Sequence, residues 1–133
     1  MKELENFSNC LKILKSADFN FAEDNDIYRT GVIGQFNITF ELAWKTLQAV
    51  MRLHGIDAVE TGTPREILQL AYKTGFIDDS AVWLSMLKKR NSAAYIYNEE
   101  DIDETLLLIR SCFIEAFSAL EKVLTEKFKE AEA

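Results

Sequence analysis

Ile102, Leu106, Ile109, Phe113, Phe117, Leu120, Leu124 and Phe128 recur at intervals of three and four. At that spacing side chains stack along one face of an α-helix. A stripe of this length spans roughly seven helical turns and has to be covered along its whole length by other elements. The same period appears upstream in Leu4, Phe7, Leu11 and Leu14, and again in Phe36, Phe40, Ala43, Leu47, Val50 and His54. Ile33 and Trp44 widen the second of these faces. No stretch alternates apolar and polar residues for long enough to suggest a strand, so helices are expected to pack only on helices.

Local signals divide the chain. A single proline in 133 residues leaves few forced breaks. The acidic and Asn-rich segment from Asp18 to Asp26 interrupts the apolar pattern and reads as a connector. A long helix follows from about Asp26 to His54, with Gly55 as a C-terminal stop. Thr63-Pro64-Arg65-Glu66 is a helix start of the capping-box kind, and that short helix ends at Gly75. Asp78-Asp79-Ser80 opens a fourth helix that carries Val82, Trp83, Met86 and Leu87 and runs into Lys88-Lys89-Arg90. Acid at its start and base at its end both complement the helix dipole. Asn98-Glu99-Glu100-Asp101 starts the last helix in the same way. The expected fold is all-α: an up-and-down antiparallel bundle of four to five helices, three long and two short, forming a single domain over 1–133. A domain of this size buries roughly two-thirds of its unfolded surface, enough to close a core without a disulfide or a metal.

The scarcity of some residues removes whole classes of chemistry. One histidine, His54, and two separated cysteines, Cys10 and Cys112, show no zinc-ligand spacing. Any mechanism needing two imidazoles is excluded, and a nucleophilic triad would have to use His54 as its base. No metal or cofactor is expected. The net charge of −7, from 15 basic and 22 acidic residues, opposes a polyanion, so RNA would be a weak ligand at most. No apolar run exceeds about five residues, against the ~20 needed to cross a bilayer. The acidic N-terminus lacks a signal-peptide core. Unpaired cysteines suit a reducing cytoplasm, which is the expected location.

Two segments could carry function. In the first, Arg90-Asn91-Ser92-Ala93-Ala94-Tyr95-Ile96-Tyr97, the guanidinium suits a phosphate and the tyrosines suit stacking or hydrogen bonding. On a regular helix Arg90 and Tyr95 point about 140° apart, whereas Arg90 and Tyr97 lie within about 20°. The chain must bend if Arg90 and Tyr95 are to share a site. In the second, from Phe36 to Lys45, Glu41 and Lys45 form an i,i+4 pair, and Asn37, Glu41 and Trp44 fall near one side. Each segment also has a plain reading, as a helix terminus and as a salt-bridged helix face. The acids Glu99, Glu100, Asp101, Asp103 and Glu104 read as a dipole complement rather than a cation site. His54, just before a helix-ending glycine, reads as structural.

Taken in order, Phe40-Glu41-Leu42-Ala43-Trp44-Lys45, Thr63-Pro64-Arg65-Glu66, Gly75-Phe76-Ile77-Asp78-Asp79 and Trp83-x-x-Met86-Leu87-x-x-Arg90-Asn91 resemble the nucleotidyltransferase substrate-binding proteins. This family lies in the HEPN superfamily beside the HepT-like toxins of toxin-antitoxin pairs. The likeness covers nearly the whole chain. It implies a helical bundle that forms a homodimer and partners a minimal nucleotidyltransferase encoded nearby. It also implies a ribonuclease motif of arginine, four residues, histidine, one residue and tyrosine, whose tyrosine can accept AMP from the partner. Laid on this chain, Arg90, Asn91 and Tyr97 match the motif, and Tyr95 stands in the histidine position. Arg90, Asn91, Tyr95 and Tyr97 would line the cleft with Glu41 from the second helix, and Tyr97 would be the AMP acceptor. A phenol, with an ordinary pKa near 10, is ionised in only about one molecule in a thousand at pH 7. Acid/base catalysis worth roughly 10²–10⁴ in rate is therefore missing at that position. The expected function is a regulatory binding partner with a degenerate nuclease motif. The alternative is a metal-independent HEPN endoribonuclease toxin using Arg90.

Overall fold

The structure, a computed structural model, describes residues 1–56, 62–93 and 98–133, including all of their side chains except those of 91–93. The elements are α1 (Lys2–Lys15), α2 (Phe19–Asp24), α3 (Asp26–Leu53), α4 (Pro64–Lys73), α5 (Ser80–Ala93), α6 (Glu99–Leu108) and α7 (Ile114–Glu132). A π-helical turn, Ile109–Phe113, joins α6 to α7. Among the described residues there is no strand.

The helix ends sit where the capping chemistry places them. The Thr63 hydroxyl accepts from the Glu66 amide at 3.2 Å, and Pro64 occupies the first turn of α4. The Glu66 carboxylate accepts from the Thr63 hydroxyl at 3.0 Å, where a capping box would have it accept from the Thr63 backbone N–H. Asp79 Oδ1 accepts from the Val82 amide, and Asn98 Oδ1 accepts from Glu100. Gly55 and Gly75 leave α3 and α4 at φ +77° and +84°, backbone angles that strain a residue with a Cβ.

Two expectations change. The segment read as a connector holds a further helix, α2, capped by Asp18 and followed directly by Asn25, which caps α3. The polar residues that break the apolar pattern do so because they start helices. The second change concerns the last helix, which is a continuous rod with one extra residue inside it. At its π turn the Ile114 amide bonds to the Ile109 carbonyl, five residues back. The stripe follows that shift. Thr105, Ile109, Phe113, Phe117, Leu120 and Leu124 are buried, while Leu106 is only half-buried.

Side-chain contacts fix the directions. Thr46 donates to the Glu3 carbonyl and Gln35 to the Cys10 carbonyl, so α1 and α3 are antiparallel. Phe36 stacks on Phe113, and His54 reaches the Lys127 carbonyl, so α3 and the last helix share a direction. Trp83 meets Phe117 while Lys89 pairs with Glu104, so α5 runs against them. The long helices thus run up, down, up and down. An aromatic cluster fills the middle. Phe36 stacks on Phe113 at 5.3 Å between centroids, Trp83 meets Phe117 edge-on at 5.6 Å, and Phe7 meets Phe117 edge-on at 6.2 Å. Such pairs add about 0.5–1.5 kcal/mol each beyond area burial.

Candidate functional site

On α3, Asn37, Glu41, Trp44 and Gln48 recur at four, three and four residues and fall within about 60° of one another. This face lies beside the buried stripe of Phe36, Phe40, Ala43 and Leu47. Arg90, in the last turn of α5, reaches across to it. Its Nη2 donates to Glu41 Oε2 at 2.8 Å. The other oxygen, Oε1, lies 3.4 Å from Lys45 Nζ, which also stands 5.9 Å from the centre of the Trp44 ring. Glu41 is therefore held between two cations. Both Glu41 and Arg90 are about one-third exposed, at 29% and 35%, so solvent screens the pair and its worth is about 1 kcal/mol or less. Its larger effect is positional, because it fixes where the guanidinium points.

Next to this pair are two buried polar atoms, Asn37 Oδ1 and Trp44 Nε1, with no hydrogen-bond partner among the described residues. Each such group costs about 1–3 kcal/mol when left unmet. They sit one turn on either side of Glu41, on the same face. This corner of the molecule is charged, half-open and under-satisfied, unlike the core beside it.

The structure thus joins the two candidate segments of the sequence through Arg90 and Glu41. Asn91 lies within α5, but its side chain falls outside the described residues, as do Tyr95 and Tyr97 entirely. His54 stands apart. Its Nε2 is 2.7 Å from the Lys127 carbonyl, an acceptor, so that nitrogen carries the proton. The ring meets Phe76 edge-on at 5.6 Å. It lies about 20 Å further along α3 than Glu41, too far to exchange a proton at Arg90. The sole imidazole pins the end of α3 to the last helix.

Two of the five acids on α6 are taken up by ion pairs. Asp103 bonds to Arg29 and Glu104 to Lys89 at 3.1 Å. Among the described residues no group of acids, cysteines and histidine is arranged to hold a metal. Arg29, largely buried, is a partner that sequence reading missed. It lies 74 residues from Asp103, and no local spacing links the two.

Residues 2–126 match the family described as nucleotidyltransferase substrate binding protein like. The chain belongs to that family. Among solved structures it is similar to a Haemophilus influenzae protein described as revealing the fold of a substrate binding domain of a nucleotidyltransferase. The TM-score is 0.78 at 21% identity, over 92% of this chain and 98% of that one. A Thermus thermophilus protein superposes with a TM-score of 0.72 at 26% identity, over 91% of this chain and 98% of that one. At the first of these identities the likeness carries the fold alone. No curated protein matches the chain. Among the described residues no helix is long and apolar enough to cross a membrane.

Proposed function

We propose that this chain is the substrate-binding and regulatory partner of a minimal nucleotidyltransferase encoded nearby, of the HepT-like toxin-antitoxin type within the HEPN superfamily, with its nuclease motif degenerate at Tyr95. The observation that carries this reading is the clasp of Arg90 by Glu41 at 2.8 Å. A guanidinium already matched by a carboxylate offers little net charge to an RNA phosphate, and the carboxylate itself repels one. The position that needs an imidazole holds Tyr95, and His54 is committed to the last helix. What remains is a cleft suited to binding, lined by Arg90, Asn91, Tyr95, Tyr97 and Glu41, with Tyr97 the AMP acceptor. The family match supports the nucleotidyltransferase as the partner. The related Haemophilus influenzae structure is described as such an enzyme's substrate-binding domain. In this reading the protein works in the cytoplasm as a homodimer of one HEPN-like domain over 1–133.

The test is to incubate the protein with the adjacent nucleotidyltransferase and ATP and to read intact mass. One added AMP is expected, lost in Tyr97→Phe. No complex and no mass change would overturn the partnership. On labelled RNA without metal, no cleavage is expected from the wild type. Cleavage that disappears in Arg90→Ala would instead establish an endoribonuclease. Light scattering at micromolar concentration should give twice the 15.2 kDa chain mass.

A further inference from the structure

Away from the Arg90 corner, a groove of about 510 Å³ opens between the turn that follows α4 and the outer side of the last helix. One wall carries Val82 and Trp83. The other is a ridge of small side chains, Cys112, Ala116, Ala119 and Val123, spaced four, three and four along the rod. A ridge of that kind lets another backbone come close. Its upper end, at Cys112, belongs to the π turn, a feature that recurs at functional sites.

The rim is acidic. Asp78, Asp79 and Glu115 all line it, and among the described residues none of the three is in an ion pair. Among the described residues Asp79 is occupied only by the Val82 amide. Phe76, at one end of the groove, also meets Lys127 Nζ at 5.4 Å from its ring centre. An apolar floor between unpaired carboxylates calls for a ligand with an apolar body and flanking positive charges. A second copy docked about a two-fold axis through the groove would lay groove on groove and bring two sets of carboxylates together, which is repulsive. A phosphate-bearing ligand is disfavoured by the same charges.

We propose that the groove receives a basic amphipathic helix of the nucleotidyltransferase, an interaction that rests on the partnership proposed above. An apolar side chain of that helix sits against Trp83 and the Ala116–Ala119 ridge, and its lysines or arginines meet Asp78, Asp79 and Glu115. This separates two surfaces. The groove docks the enzyme's body, and the Arg90 corner presents the residues it acts on.

The purified nucleotidyltransferase and a labelled leucine–lysine amphipathic 14-residue peptide serve as probes, measured by calorimetry and anisotropy. Ala119 is exposed, so Ala119→Trp fills the groove and keeps the fold, as a thermal melt will verify. Binding of both probes should fall at least tenfold in Ala119→Trp. Asp78→Lys with Glu115→Lys should weaken it as much and flatten its salt dependence, whereas Glu121→Lys, on another face of α7, should leave it unchanged. If the enzyme binds wild type and Ala119→Trp alike, the groove proposal falls and the partnership stands. If the peptide binds and is blocked by Ala119→Trp while the enzyme does not bind, the partnership falls and the groove stands. Spermidine binding as tightly as the peptide would make this a small-cation site and overturn the helical occupant.

Discussion

Two neighbouring faces of α3 live by different rules. On one, Phe36, Phe40, Ala43 and Leu47 are fully buried against rings from α5 and the last helix. On the other, Asn37 and Trp44 bury polar atoms that nothing among the described residues satisfies, on either side of a carboxylate shared by two cations. The first face is consistent at every level and stabilises the fold. The second departs from the rules of burial without a compensating contact among the described residues, a departure that natural proteins concentrate at functional positions. The same helix therefore carries a packed face and an under-satisfied one side by side.

That contrast can be broken by mutation. The largest effect is expected for Phe117→Ala, which removes the ring touching Phe7, Phe36 and Trp83. It should lower stability by about 3–5 kcal/mol in urea unfolding. A loss below 1 kcal/mol would mean that the aromatic cluster is not the stabilising face. Asn37→Leu should move the other way, raising stability by about 1 kcal/mol, because an unmet acceptor is replaced by an apolar group of similar size. If it destabilises instead, the corner is as well satisfied as the core and the comparison fails. Deleting Ser111 takes the extra residue out of the π turn and should be tolerated, with circular dichroism and cooperative melting retained. Deleting Ala119 from regular α7 should abolish them. Lys45→Ala is the smallest change, within about 0.5 kcal/mol, since that pair is exposed and Glu41 keeps Arg90.

The deletion experiment also shows how much of the architecture was legible. On a straight helix the buried residues Thr105, Ile109, Phe113, Phe117, Leu120 and Leu124 would spread over about 120°, and removing one residue between Ile109 and Phe113 narrows this to about 80°. The successive intervals of four at Ile109, Phe113 and Phe117 are the trace of that turn in the sequence, but a regular helix tolerates them, so they read as ordinary. Capping residues were more informative. Thr63, Asp79 and Asn98 each act on their own helix start, within three residues, which is why those ends were readable. Helix α2 escaped because six residues with only Ala22 buried make no stripe. At the site, Glu41 with Lys45 was local and visible, whereas Glu41 with Arg90 and Arg29 with Asp103 depend on how distant segments fold back. Sequence reading named both Arg90 and Glu41 and missed that they neutralise each other.

The ring stack has a consequence in time. Phe36 leaves the ribosome well before Phe113 and Phe117, which cover it, are made. Until then α1 and α3 can pair through Thr46 and Gln35 while the widest part of their apolar surface stays in water. Each newly made chain thus passes through an interval as an open, sticky hairpin. In that interval a chaperone, or a second nascent copy, competes with the chain's own last helix for the same rings.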